Sequence, residues 1–160
     1  MKKIILTLAL GIICQSSFAQ NIDNLFEKFS KECQAENISI PPFMMSLGKL
    51  FMSDEGLSIV KGIRSLRILD LEDCPTTVKE RFAEQVNKLH LEGYEPMIQV
   101  NEDGEKVRIF ALPYKDSIKE LLLVCSGKDD CILMQMKGKI KKEDIAHLVN
   151  EQTSKKDGSE

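Results

Sequence analysis

Apolar residues recur along the chain with two different periods, and the switches between them lay out the elements. From the N-terminal side they fall at Ile22, Leu25, Phe26, Phe29 and Cys33, the stripe of an amphipathic helix that Asn21 or Asp23 can cap. Ile38-Ser39-Ile40 reads as a short extended piece, stopped by Pro41-Pro42, a pair that also suits the start of a helix. Phe43, Leu47, Leu50 and Phe51 then return at helical spacing, with Met44, Met45 and Met52 beside them, and Gly56 and Gly62 bracket a short segment from Leu57 to Lys61. Arg64 to Leu71 predicts a strand. Cys74-Pro75 breaks it, and the next helix carries the strongest signals in the chain. Thr77-x-x-Glu80 reads as its capping box, Val78, Phe82, Val86 and Leu89 line one face, and Gly93 supplies a C-terminal cap.

The second half is extended. Pro96 to Val100 and Val107 to Phe110 stand on either side of Asn101-Glu102-Asp103-Gly104, a strong hairpin signal. A connection from Pro113 to Asp116 leads into Ile118 to Cys125 and then Cys131 to Met136. Both runs are apolar on both faces, which places them inside the sheet. Leu121, Leu123 and Leu133 are expected on one side of it, and Leu122, Val124, Ile132, Met134 and Met136 on the other. A short helix from Glu143 to Asn150, burying Ile145, Leu148 and Val149, closes the pattern before a polar tail over 151–160. The prediction is an α+β fold over 20–150: a mostly antiparallel sheet of about five strands with amphipathic helices packed on it.

The first nineteen residues have another logic. Lys2 and Lys3 precede an apolar run from Ile4 to Ile13, and Ser17 and Ala19 bracket Phe18, the three parts of a secretory signal. Cleavage after Ala19 would leave Gln20 first and place the protein in the periplasm or outside the cell. The apolar run is about ten residues, half of what a membrane-spanning helix needs. Lipidation at Cys14 would require a small residue before it, where Ile13 stands, so no membrane anchor is expected.

Composition narrows the function. The 160 residues are 42% hydrophobic and 29% charged with a net charge of -3, and the one dense basic cluster before the tail is Lys137, Lys139, Lys141 and Lys142. No nucleic-acid-binding face is expected from such a balance. The cysteines and histidines show no close pair of the metal-binding type, so no metal site and no cofactor are expected. The acidic turn at 101–104 lacks the spaced oxygen ligands of a calcium loop. His90 and His147 read as helix residues. Neither Ser46 nor Ser126 sits in a nucleophile elbow, and the carboxylate groups Asp70, Glu72, Asp73 and Asp129, Asp130 read as solvated strand ends and turns.

Two features leave alternatives open. Cys125 and Cys131 flank the turn-rich Ser126 to Asp130, so they are either a candidate disulfide across a hairpin or two buried thiols. Phe43, Met44, Met45, Leu47, Phe51 and Met52 are either core filling or an adaptable apolar interaction surface, since flexible thioethers suit both.

The Pro41-Pro42-Phe43-Met44-Met45 to Phe51 helix, the run Ile63 to Leu69, and the late hairpin Lys119 to Val124 with Ile132 to Gly138 resemble one bacterial family, labelled domain of unknown function 4252. The resemblance implies a small exported protein of a Gram-negative bacterium, some relatives being lipoproteins, and it carries no catalytic residues. The expected function is a periplasmic or envelope-associated binding or interaction module without catalysis. Its partner would be a protein not identifiable from sequence, an apolar ligand or a second copy. The alternative is a hydrolase-type enzyme using carboxylates with a histidine.

Overall fold

The computed structural model describes residues 21–50 and 57–143, with no side-chain description at 47–50 or 57–59. The expected signal over 1–19, Phe51, Met52, His147, the expected helix over 144–150 and the tail lie outside the described residues, as does the side chain of Leu47. The elements run α1 (Ile22–Phe29), β1 (Glu36–Ile40), α2 (Pro42–Leu50), α3 (Leu57–Gly62), β2 (Ile63–Asp70), α4 (Thr76–Asn87), β3 (Glu95–Glu102), β4 (Glu105–Tyr114), β5 (Ser117–Ser126) and β6 (Cys131–Lys141). The strands form one antiparallel sheet in the order β1-β2-β6-β5-β4-β3. It has six strands rather than about five, because the short Ile38-Ser39-Ile40 piece joins β2 as an edge strand.

Helix α1 begins where Asn21 Oδ1 accepts the Asp23 N–H at 3.1 Å and buries Ile22, Leu25, Phe26 and Phe29. The stripe ends there: Cys33 lies past the helix and is exposed. Helix α4 starts directly behind Pro75, whose φ of -56° suits helix entry, and no side chain caps it. Thr77 therefore lies inside the first turn, and the expected capping box does not form. The helix also stops at Asn87, so Gly93 is not its cap. At φ +79° Gly93 shapes the separate turn that leads into β3.

The β3–β4 turn has Asp103 at φ 51° and Gly104 at φ 87°, the two positive dihedrals of a two-residue hairpin turn matched to strand twist. Lys115 (φ 54°) and Asp116 close β4 onto β5 just as tightly, where the sequence pattern implies a longer connection. At the other glycine-dependent point, a Cβ on Gly138 would collide with the Gly62 carbonyl oxygen, so the end of α3 can cross β6 only because that side chain is absent.

Strand register sorts the core. Leu122 pairs with Gln135 and Val124 with Leu133, while Leu121 pairs with Met136, Leu123 with Met134 and Cys125 with Ile132. Leu133 thus shares a face with Leu122 and Val124, and Ile132, Met134 and Met136 share the other with Leu121 and Leu123. This corrects the expected assignment by one residue of register, the shift that exchanges faces in a strand.

On the first face, α1 and α4 lie over β2, β6 and β5. Phe26, Phe29 and Phe82 are essentially inaccessible there, packed with Leu69, Leu71, Leu122, Val124 and Leu133. Phe29 meets Phe82 edge to face with ring centroids 5.3 Å apart, so the two helices seal against each other as well as against the sheet. A smaller cluster of Ile63, Ala111, Ile118, Leu121 and Ile140, with Met45 of α2 against it, closes one end of the second face.

Removing the Phe82 ring should cost about 3–5 kcal/mol in Phe82→Ala. Glu84→Ala, at an exposed position of α4, should stay within about 0.5 kcal/mol. Urea unfolding followed by circular dichroism measures both.

Candidate functional site

The second face is the larger surface question. Register places Ile38, Ile68, Met134, Leu123, Ile109 and Ile98 in one unbroken apolar row across all six strands. A parallel row of Ile132, Cys125, Val107 and Val100 runs beside it. Beyond the end closed by Met45 and Ile63, these side chains are half-buried or exposed, with Ile38 and Val100 each 46% accessible. A sheet face of this kind is normally covered.

Charge is uneven along the strand direction. Glu36, Asp70, Glu102, Glu105, Asp129 and Asp130 gather at one end of the sheet, where they outnumber Lys79, Lys106 and Lys128, and the Glu105 carboxylate accepts the Lys128 N–H at 3.0 Å. The Asp70 charge pushes the Glu72 carboxyl above its usual range, and burial, then Asp130 and Glu105, push the Cys125 thiol up. At the opposite end Arg64, Lys115, Lys119, Lys139 and Lys141, with Asp116, Tyr114 and Ser117, line an open cleft of about 590 Å³.

The expected site residues divide. Phe43 is 71% exposed and Met44 55%, so core filling does not describe them, whereas Met45 packs on the second cluster. Leu47, Phe51 and Met52 cannot be placed beside them within the described residues. Cys125 and Cys131 stand in adjacent pairs of the β5–β6 ladder. Cys131 is opposite Ser126 and Cys125 opposite Ile132, the two thiols point to opposite faces, and both are free. The two thiols are unbridged in this structure, as are those of Cys33 and Cys74. Burial pushes the Cys131 thiol up to about 12, as befits a small core hydrophobe.

A second locus was not legible in the sequence. The connection after α4 brings His90, Leu91, Glu92 and Tyr94 against Asp23 of the α1 start and Glu120, Gln135 and Lys137 of the central strands, around a cleft of about 430 Å³. Glu120, only 7% exposed, has its Oε1 accepting both the Tyr94 hydroxyl and the Gln135 amide at 2.5 Å, and Lys137 Nζ lies 3.9 Å from its other oxygen. Arg67 extends the chain: its Nη1 donates to Gln135 Oε1 at 3.3 Å and to Asp23 at 2.6 Å, while its guanidinium lies over the Phe26 ring. His90 lines this cleft but is exposed. With two donors on one oxygen, Glu120 is fixed as an anchor for Tyr94 and Gln135. On the same side of the sheet, burial lowers the Arg108 guanidinium, whose Nε and Nη2 have no hydrogen-bond partner among the described residues. No cluster of metal-ligating side chains and no helix long and apolar enough to cross a membrane occurs among the described residues.

Desolvation, then the Glu120 contact, raises the Tyr94 hydroxyl above the ordinary tyrosine range. The folded state therefore holds this proton more tightly than the unfolded chain, so the contribution is intact below about pH 10, the ordinary tyrosine value, and is lost as pH climbs past it. In a spectrophotometric titration Tyr94 should stay protonated at pH 11 while the protein is folded and ionise as it unfolds. Tyr94→Phe should remove that ionisation step.

Neither the curated proteins nor the solved structures give a match. One family model does, over residues 29–148, from the last turn of α1 through the whole sheet. Most of the 160-residue chain is included, and the matched span holds the open face and the Glu120 cleft except for its α1 side, Asn21, Ile22 and Asp23. The chain belongs to the family described as Domain of unknown function (DUF4252).

Proposed function

We propose that this protein is an exported, non-catalytic interaction module that works through the open apolar face of its sheet, and that a second copy of the chain occupies this face. The six-strand row from Ile38 to Ile98 is the observation that carries the reading. Two such faces can stack about 10 Å apart as a sandwich. Charge supports self-association over other partners. A two-fold axis lying in the plane of contact and perpendicular to the strands sets each acidic end over the basic end of its mate, so one surface complements itself. Export rests on the Lys2-Lys3, Ile4–Ile13 and Ser17-Phe18-Ala19 pattern.

A hydrolase-type reading has one observation in its favour, the cleft that holds His90 together with Asp23, Glu92 and Glu120. Turnover of an ester, phosphoester or peptide probe that disappears in His90→Ala would put that reading first.

Native mass spectrometry of the protein recovered from a Gram-negative periplasm should show a dimer, with each chain starting at Gln20. Met134→Lys should yield a monomer with unchanged far-ultraviolet circular dichroism, and raised salt should weaken the wild-type dimer. A bare wild-type monomer at tens of micromolar would overturn the self-association reading. A chain that keeps residues 1–19, or carries an acyl group on Cys14, would overturn soluble export.

A further inference from the structure

On the end of the first face, two connections that cover the core touch through cysteine. The thiol of Cys74, in the β2–α4 connection, donates to the backbone oxygen of Cys33, in the α1–β1 connection, at 3.2 Å. The two cysteines are far apart in sequence, yet the Cys33 backbone is within reach of the Cys74 sulfur. The Cys33 connection is held in this position from its other side as well: Glu32 accepts from Arg81 of α4 at 2.7 Å, and Ala35 packs against the core. Next to Cys33, Gln34 adopts φ +66°, a left-handed conformation that a non-glycine residue takes up only where its surroundings impose it.

We propose that Cys33 and Cys74 form a disulfide that clasps the α1–β1 connection to the β2–α4 connection. The proposal rests on this contact and is independent of what the open sheet face binds. Cys33 is exposed and Cys74 buried, which sets the order of events. The Cys33 thiol loses its proton to solvent, and its thiolate attacks a disulfide donor such as oxidised glutathione, expelling one donor thiolate and leaving a mixed disulfide. The Cys74 thiol then loses its proton and its sulfur attacks the Cys33 sulfur, expelling the second donor thiolate. Both protein thiols are oxidised, the donor disulfide is reduced to two thiols, and the chain loses two hydrogens. Burial and the neighbouring Glu32 carboxylate raise the Cys74 thiol, so the second step is the slow one.

Cys131 is the competing partner for Cys74. It is fully buried, however, and its main chain is tied into the structure where its carbonyl accepts the Leu71 N–H at 2.9 Å, so it meets an external oxidant last. The Cys33 connection lies outside any strand and can turn its side chain inward without breaking a ladder.

The test uses the full chain, reduced and then exposed to oxidised glutathione, with non-reducing peptide mapping by mass spectrometry and a thermal melt. The expected result is a single Cys33–Cys74 cross-linked peptide pair. A loop of about 40 residues is then closed, and the melting temperature should rise by roughly 10 °C and fall back on reduction with dithiothreitol. Cys33→Ser should abolish both the cross-link and the shift, whereas Cys125→Ser should keep both. A Cys74–Cys131 cross-link, a Cys33 that stops at the glutathione adduct, or a Cys33 that stays a thiol while the protein remains folded would each overturn the proposal.

Discussion

The antiparallel register of β5 against β6 governs the rest of the molecule, because these two strands are the centre of the sheet and their pairing decides which side chains share a face. With Val124 opposite Leu133 and Leu122 opposite Gln135, one face presents an aliphatic floor, interrupted by Gln135, on which the phenylalanines of α1 and α4 can settle. The same register sends Leu123, Met134, Cys125 and Ile132 to the opposite side. Among the described residues α1 and α4 pack on the first face and meet through Phe29 and Phe82, and only one end of the second face is closed, by Met45 and the Ile63 cluster.

What could be read in the sequence follows from how local each signal is. The periodicity of Ile22, Leu25, Phe26 and Phe29, the stripe of Val78, Phe82 and Val86, and the Asp103-Gly104 turn are decided within a few residues, and the structure has them where the pattern implied. The failures involve competition between neighbours or register across strands. Pro75 starts α4 before Thr77 can cap it, and a one-residue offset moved Leu133 to the other face. Cys33 extended the α1 stripe by spacing alone, while the chain turns away after Phe29.

The Glu120 network was invisible for a stronger reason. Its members come from α1, β2, a loop before β3, β5 and β6, and nothing local marks Tyr94, Gln135 or Arg67 as partners. In hindsight, one signal was available: Glu120 and Gln135 are polar residues inside the two most apolar strands, and a buried polar group calls for a partner. That network explains why a carboxylate can sit beneath the start of α1, since Tyr94 and Gln135 both donate to it there. Both hydrogen bonds fall on Oε1, while among the described residues Oε2 faces only Lys137 Nζ at 3.9 Å, so the carboxylate is held in place from one side.

The open face and the two charged ends are coupled by geometry. An apolar surface alone attracts any hydrophobic partner and sets no orientation, because hydrophobic burial is non-directional. Charges at the ends of the strands add the missing direction at small cost, since they remain at the rim, hydrated, where complementary pairing affects orientation and encounter more than affinity. Parallel stacking of two copies would set Glu36, Asp70 and Glu105 against their own kind and Arg64, Lys139 and Lys141 against theirs. In the proposed dimer, antiparallel stacking would relieve both repulsions at once, and with the neutral row from Ile38 to Ile98 between the charged ends, the strand direction would be the feature that a second copy has to oppose.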